Sequence, residues 1–483
     1  MLRTNTCGDL TAKSTGKTVT LAGWCHSRRD HGGVIFIDLR DRYGITQIVL
    51  DPSHNKKVHQ LGEKTGREWV VAAKGKVRHR PKDMANPKLK TGEIEVLIDE
   101  LNIITKSAVP PIEIDDGIEA AEDVRMKYRY LDLRRSLMQQ RLIIRHKAAA
   151  AVREYFDKNG FIEIETPILV RSTPEGARDY VVPSRVHPGK FYALPQSPQL
   201  YKQILMIAGF DRYFQLAKCL RDEDLGADRQ PEHTQIDFEM SFVDENDIMA
   251  FVEGLYKHIW KDVIGVELKT PFPVLTYAEA ISKYGTDKPD TRFGMELIDA
   301  TEVVKKSEFK TFTSEEQVKC LVAEKDLSRK EIDELIAWAK ENGAKGLAWM
   351  KVTDKGLESS IVKYFSGEIQ KQLLQRTKAK KGSVLFFIAD EKKKVAEVLG
   401  KLRAELGRRF GLIKNGEFKF GWIKDFPLFE WNKDENRWEA AHHMFTSPKP
   451  EHVELLEKAP EKVLGRLYDL VLNGTELGSG SIR

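Results

Sequence analysis

Apolar and polar residues alternate most regularly between Phe214 and Val243. In the run IDFEMSFV, Ile236, Phe238, Met240 and Phe242 alternate with Asp237, Glu239 and Ser241, the period of a half-buried strand. A second strand-like run, FQLAKCL, precedes it across a polar loop with glycine and proline, so the segment predicts an antiparallel hairpin. Its ends gather Arg221, Glu223, Arg229, Glu232, His233, Asp237 and Glu239. Both signs of charge where two strands meet a loop suit a ligand bearing phosphate and ammonium groups. Surface ion pairs on a solvated hairpin are the competing explanation, because such pairs are common.

Short strand-like runs recur near the N-terminus, at Thr18–Arg28, Val34–Leu39, Thr46–Asp51, Trp69–Val77 and Gly92–Leu101. HGG at 31–33, DRYG at 41–44 and RPKDMANPKLKTG supply the turns between them. Five strands without a long helix predict a small barrel of the OB type, whose face binds single-stranded nucleic acid. Aromatic side chains of such barrels stack on bases while cations follow the backbone. Arg28, Arg29 and Phe36 are the candidates, with Gln47 and Glu95 available to read base edges. Phe36 becomes core if the register of VIFIDL shifts by one residue.

Residues 106–135 lose both periods. SAVPPIEIDDGIEAAEDV, rich in proline and acid, predicts a linker, and the basic-aromatic run RMKYRYLDLRR follows it. From Ser136 a helical period places Leu142, Ile143, Ala149, Val152 and Phe156 on one face, with Gly160 as C-cap. FIEIETPILV reads as a strand whose Pro167 fits an edge or interface. After the loop RSTPEGARDYVV, the run FYALPQSPQLYKQILMIAGF reads as strand, turn and helix bearing Gln199 and Lys202. Residues 293–413 interrupt this order. SEEQVKCLVAEKD, SRKEIDELIAWAKENG and ESSIVKYFSGEIQKQLLQRT read as helices, GLAWMKV and SVLFFIA as strands, together an insertion that folds on its own without chemistry. The chain resumes with GEFKFGWIKDFPLFEW, a strand suited to packing beside the hairpin, and closes on RLYDLVLNGTELGSGSIR.

Composition narrows the choice. A chain of 483 residues exceeds one core, so two to four domains are expected. No apolar run approaches the roughly 20 residues that span a bilayer, and MLRTNTCGDLTAKSTG lacks the apolar centre of a secretory signal. Cys7, Cys25, Cys219 and Cys320 lie far apart without a CxxC pair, which speaks against zinc and disulfides and fits a reducing cytosol. The net charge of +5 is mild but uneven. Residues 1–105 hold 18 Lys and Arg against 12 Asp and Glu, which favours a polyanion on the barrel and a stacking role for Phe36.

The order of a long helix, a proline-bearing strand and a charged hairpin resembles the class II aminoacyl-tRNA synthetases. KNGFIEIETPIL resembles their motif 1, and FQLAKCLRDED through IDFEMSF their motif 2. Within the class, STPEGARDY, QSPQLYKQ, RDEDLGADRQPEHTQID and HHMFTSP resemble the bacterial-type aspartyl-tRNA synthetases, a likeness that runs from the barrel to the last residue. It implies an α+β multidomain chain. An OB-fold anticodon-binding domain (1–105) and a hinge (106–135) precede a class II antiparallel-sheet catalytic domain (136–292 and 414–483), which a GAD-like α+β insertion (293–413) divides.

The implied protein is a cytoplasmic homodimer, with motif 1 and Pro167 at its subunit interface. It joins L-aspartate to ATP as aspartyl-adenylate with the help of Mg²⁺, then passes the aspartyl group to tRNA-Asp. In-line attack of a carboxylate on phosphorus needs positioning and charge neutralisation more than an acid or base. By resemblance Arg221 bridges the α-phosphate and the amino-acid carboxylate with its forked donors. Asp222, Glu223, Gln230 and His233 meet ATP, His233 standing where the family has a phenylalanine. Glu175 and Gln199 meet the aspartate ammonium, Lys202 and Arg483 hold its side-chain carboxylate, and Asp237 orients that cationic pair and penalises asparagine. His442 closes over the substrate with His443 beside it, and Met444 replaces a usual proline. Asp469 and Glu476 match positions that hold Mg²⁺ on the phosphates, Glu476 also touching ATP, and GSG stands for a glycine triplet. HGG at 31–33 resembles members that charge both tRNA-Asp and tRNA-Asn, with His31 near the anticodon.

Family members continue beyond this point into motif 3, so the sequence is expected to be a C-terminally truncated fragment with weak or no ATP–pyrophosphate exchange. Two alternatives remain. A class II synthetase for asparagine or lysine would differ in the amino acid that drives exchange. A catalytically impaired, synthetase-like tRNA-binding protein would bind tRNA without forming adenylate.

Overall fold

Alternation in the first hundred residues closes a barrel. The strands β1 (Thr18–His31), β2 (Val34–Asp41), β3 (Gly44–Leu50), β4 (Val70–His79) and β5 (Ile94–Thr105) join in the order β1-β2-β3-β5-β4, with a nine-residue helix α1 (Lys56–Lys64) between β3 and β4. Leu21, Cys25, Ile35, Ile37, Leu39, Ile48 and Leu50 point inward and form its core. Gly32 and Gly33, at φ +63° and +81°, turn β1 into β2 through backbone conformations that side chains resist.

The computed structural model describes residues 2–117, 120–173, 176–226 and 229–483, which divide into the units Met1–Ala151 and Val152–Arg483. No helix among the described residues is long and apolar enough to cross a membrane. In the first unit the expected hinge is packed rather than free of contacts. Ile112, Ile114 and Leu131 are buried in a cluster of their own. Arg134 pairs with Glu68 at 2.7 Å, the carboxylate that also takes Arg40, and lies over the Trp24 ring.

Helix α2 (Ser136–Lys158) carries the chain across the division. Its expected face splits, since Leu142 and Ile143 are exposed whereas Val152 and Phe156 are buried. Phe156 lies at the middle of a ring cluster with Phe161, Phe214, Phe238 and Phe251, at centroid distances of 4.8, 4.5, 5.5 and 5.3 Å. FIEIETPILV yields only the two-residue strand β6 (Ile162–Glu163). After α3 (Gln199–Ile207) the predicted hairpin forms from β7 (Arg212–Leu220) and β8 (Glu232–Met240), Asp237 lying opposite Gln215. The sheet runs β8-β7-β6, with β6 parallel to β7. Helix α4 (Glu245–Ile264) follows, capped by Asp244 through a reciprocal box with Asp247.

Strand β9 (Val274–Thr276) and helix α5 (Tyr277–Tyr284) lead into the insertion, a sheet of β10 (Ile298–Asp299), β11 (Gln317–Ala323), β12 (Ala348–Thr353), β13 (Gly356–Glu358) and β14 (Val384–Asp390) in the order β10-β11-β14-β12-β13. Helices α6 (Arg329–Glu341), α7 (Gly367–Thr377) and α8 (Lys392–Arg409) accompany it. β11 replaces the helix expected at SEEQVKCLVAEKD. Lying between β10 and β14, it buries Val318, Cys320, Leu321 and Ala323 on both faces, and an apolar run of that kind has no two-residue period to show. At the C-cap of α5, Gly285 has φ +72°, and a Cβ there would fall 2.2 Å from the Ala396 carbonyl oxygen of α8 and 2.8 Å from Gly400.

The last sheet runs β9-β15-β16-β17, formed with β15 (Phe420–Lys424), β16 (Leu467–Leu472) and β17 (Thr475–Ser481). β15 therefore lies between β9 and β16, not beside the β7–β8 hairpin as its sequence suggested.

Candidate active site

A cleft of about 880 Å³ opens between the hairpin and β17, lined by Lys202, Arg221, His233, Asp237, Glu476 and Arg483 among others. The two-residue period of β8 turns Asp237 and Glu239 to the same side. Both meet the buried Lys202 of α3, at 2.8 and 3.2 Å. Burial opposes the Lys202 ammonium, but these two carboxylates outweigh it and hold its pKa above the usual lysine value. Arg483 completes the group, with Nε 3.8 Å from Glu239 and Nη2 donating to Gln199 Oε1 at 3.1 Å. Gln199 Nε2 is buried without a hydrogen-bond partner among the described residues. As a donor, that nitrogen suits a carboxylate oxygen, while Oε1 is the atom with a second lone pair for the ammonium expected of Gln199.

A second group of contacts ties the loop after Ser172 to the hairpin. Gln196 Nε2 donates to the Ala177 carbonyl at 2.8 Å and to Asp179 Oδ1 at 2.5 Å, and the Gln196 backbone carbonyl accepts from Arg221 Nε at 3.3 Å. Arg178 pairs with Asp222 at 3.7 Å, which engages that expected ATP contact from the side. Glu223 and Gln230 are exposed and His233 is half-buried on β8. Glu175 lies outside the described residues.

An acidic group lies beside Glu476, the one of its members that lines the cleft. Asp469 on β16 is buried, and its Oδ1 has no hydrogen-bond partner among the described residues. Burial, then the charges of Glu476 and Asp287, push its carboxyl up to about 8. Lys288 reaches into this group with its Nζ 2.8 Å from Glu476. A buried carboxylate held protonated for want of positive charge, beside a second carboxylate, is the donor set a hard cation such as Mg²⁺ takes.

Of the paired histidines, His443 meets Arg483, which lines the cleft. Its ring stacks on Phe445 at 4.2 Å, Nδ1 lies 3.0 Å from Thr446 Oγ1, and Nε2 lies 3.4 Å from Arg483 Nη1. His442, expected over the substrate, meets Phe426 edge-on, is exposed, and feels the charges of Asp287, Glu476 and Lys288. Burial first, then the Arg483 and His442 charges, lower the His443 pKa to about 4. A folded value below the unfolded one makes stability fall as pH drops through about 6.5 toward 4. His443→Gln is expected to remove about 1 kcal/mol of that loss between pH 6.5 and 4.5, read by denaturant unfolding at both pH values. An unchanged slope would show that His443 stays solvated in the folded chain.

The family model for the class II tRNA synthetases (D, K and N) matches residues 121–483, and the model for the OB-fold nucleic acid binding domain matches residues 19–104. The chain is 51% identical over 490 residues to the aspartate–tRNA(Asp/Asn) ligase of Desulfatibacillum aliphaticivorans, covering all of this chain and 82% of that one. It belongs to the class II tRNA synthetases. The aspartate–tRNA(Asp/Asn) ligase of Aquifex aeolicus (strain VF5) is also 51% identical, with 100% of this chain and 83% of that protein covered. Among solved structures, a putative aspartyl-tRNA synthetase from Leishmania major Friedlin shares the fold, with TM-score 0.59 and 17% identity over 99% of this chain and 81% of that one. Asparaginyl-tRNA synthetase from Pyrococcus horikoshii complexed with asparaginyl-adenylate does so with TM-score 0.53 and 21% identity, over 83% of this chain and 95% of that one.

In this synthetase the barrel face is polar and pre-ordered. Phe36 is half-buried on the side opposite Ile35 and Ile37, so the register makes it available for stacking and keeps it out of the core. Around it run Arg29 to Asp38 at 3.1 Å, Ser27 to Asp38 at 2.6 Å, Gln47 Nε2 to Glu95 at 3.0 Å and Arg78 to Glu95 at 2.8 Å. His31 is exposed at the β1–β2 turn. Arg28 leaves this face, because a bulge at Cys25–Ser27 turns it to the Gly62 and Glu63 carbonyls at the end of α1.

Gln196, Asp179, Asp287 and Lys288 were missed as site residues. The spacing of QSPQ signals Gln196 and the dense charges of TDKPD signal Asp287 and Lys288, while Asp179 stands in STPEGARDY.

Proposed function

We propose that this synthetase is an aspartate–tRNA ligase, joining L-aspartate to ATP as aspartyl-adenylate and transferring the aspartyl group to tRNA. The buried group of Lys202, Asp237, Glu239 and Arg483, with Gln199 beside it, carries the reading. Two cations facing two carboxylates suit a ligand that itself carries two carboxylates and one ammonium. An uncharged asparagine side chain would forgo the charge-assisted bonds that a carboxylate makes to the remaining donors of Lys202 and Arg483 in a partly dry site, which is costly. The relatives named aspartate–tRNA(Asp/Asn) ligase support the same choice.

Adenylation then requires little acid–base chemistry. Lys202 and Arg483 hold the aspartate side chain, leaving the α-carboxylate to approach the α-phosphate beside Arg221, whose guanidinium Gln196 orients. Asp469 and Glu476 would hold Mg²⁺, which when bound supplies neutralising charge for the pyrophosphate leaving group.

The chain is expected to bind a non-hydrolysable aspartyl-adenylate analogue at least about tenfold more tightly than the asparaginyl analogue, a difference above 1.4 kcal/mol. Equal or reversed affinities, by titration calorimetry, would sink the aspartate assignment. On the barrel, His31 and the network around Phe36 support acceptance of both tRNA-Asp and tRNA-Asn. In gel-shift titrations, a strong preference for one purified tRNA would remove the second.

The four cysteines, all buried and none in a disulfide, fit a reducing compartment such as the cytoplasm. A homodimer is supported by apolar exposure, with Leu142 and Ile143 bare on α2 and Ile168 and Leu169 bare beyond β6. Sedimentation at micromolar concentration is expected to give twice the chain mass, and a monomer there would refute it.

A further inference from the structure

The insertion reaches the nucleotide end of the site through one buried arginine. Arg403 of α8 donates from Nε to the Met295 carbonyl at 3.0 Å, and its Nη2 lies 2.8 to 2.9 Å from the carbonyls of Asp290, Phe293 and Gly294. Its guanidinium also lies over the Phe293 and Tyr284 rings, at 4.1 and 4.8 Å. Four carbonyls converging on one charged fork leave the segment that enters the insertion little freedom. On the far side of the same segment, Asp290 abuts Gly474 in the β16–β17 turn, where an added Cβ would come within 3.3 Å. Two residues before Asp290 lies Lys288, whose Nζ meets Glu476 at 2.8 Å next to Asp469 and Asp287.

We infer that Arg403 is a positioning residue for the nucleotide end of the site: it clamps the segment 285–295 so that Lys288 is held against Glu476. The inference rests on the ligase reading for the identity of the ligand. Glu476 and Asp287, beside the protonated Asp469, repel a polyphosphate unless cations offset them, and Lys288 is paired with Glu476 there. The insertion thereby takes part in ATP binding although none of its residues lines the cleft.

The test compares Arg403→Gln, Arg403→Lys and Lys288→Met with the parent chain. Backbone amide exchange is followed by mass spectrometry, and affinities for ATP with Mg²⁺ and for aspartate by calorimetry. Arg403→Gln is expected to speed exchange across residues 285–295 and to weaken ATP binding about tenfold, with aspartate affinity within about twofold of the parent. Lys288→Met should weaken ATP binding equally without faster exchange, and the double variant no further than either single one. Arg403→Lys, keeping the charge but not the fork, should fall between. Unchanged exchange in Arg403→Gln, additive losses in the double variant, or equal losses for ATP and aspartate would overturn the positioning role. A parent chain that binds neither ATP nor aspartate would overturn the ligase reading instead. Faster exchange in Arg403→Gln would then still establish the clamp.

Discussion

Lys202→Met is expected to cost the fold about 3 kcal/mol at neutral pH and to abolish measurable aspartate binding. Lys202 is the cation between Asp237 and Glu239, and its removal leaves two carboxylates in a largely buried site with only the more distant Arg483 to offset them. An unpaired buried charge costs more than the pair ever contributed. The pH dependence separates this from simple loss of packing. Lys202 has a raised pKa, so its contribution to the parent is present throughout the ordinary pH range and is lost only on the alkaline side of that value. In the variant the stranded carboxylates gain protons on folding, so stability should rise as pH falls from about 7 to about 5. Urea unfolding at both values would show it. A variant as stable as the parent at pH 7, or one without the acid-side recovery, would mean that water reaches this group freely.

Phe156→Ala should cost about 3–5 kcal/mol, because it empties the middle of the ring cluster beneath the hairpin. Phe156 is fully buried, with Phe214 stacked on it at 4.5 Å and three further rings around it. Phe238 belongs to that cluster, while its neighbours Asp237 and Glu239 face the cleft on the other side of β8. The loss should therefore appear in the unfolding midpoint, while the molecules that remain folded bind aspartate normally. A loss below about 1 kcal/mol would indicate that the cluster collapses into the space.

How much could be read beforehand follows from which physical signal each element carries. The barrel strands were legible to within a few residues, since a closed barrel with one wet face imposes a two-residue period on nearly every strand. The β7–β8 hairpin was legible for the same reason, and so was the grouping of Lys202, Asp237 and Arg483, though only through resemblance. β11 was not legible because burial on both faces erases the period that separates strand from helix. The packing of residues 106–135 depends on Arg134 finding Glu68 and Trp24, a tertiary contact without local signature. Arg28 was misplaced by a bulge that shifts the alternation by one residue. Arg403 was invisible for a different reason: its partners are backbone carbonyls, which every residue has.

The approach of Gly285 to Gly400 brings two backbones together with no side chain between them. Such a joint has no adjustable part, since a longer residue on one helix cannot be offset by a shorter one on the other when both are already glycine. Transplanting an insertion from a relative would therefore succeed or fail on these two positions before any matching of surface charge. A chimera lacking either glycine would open a wedge at the mouth of the insertion and turn α8, with every residue it carries, away from α5.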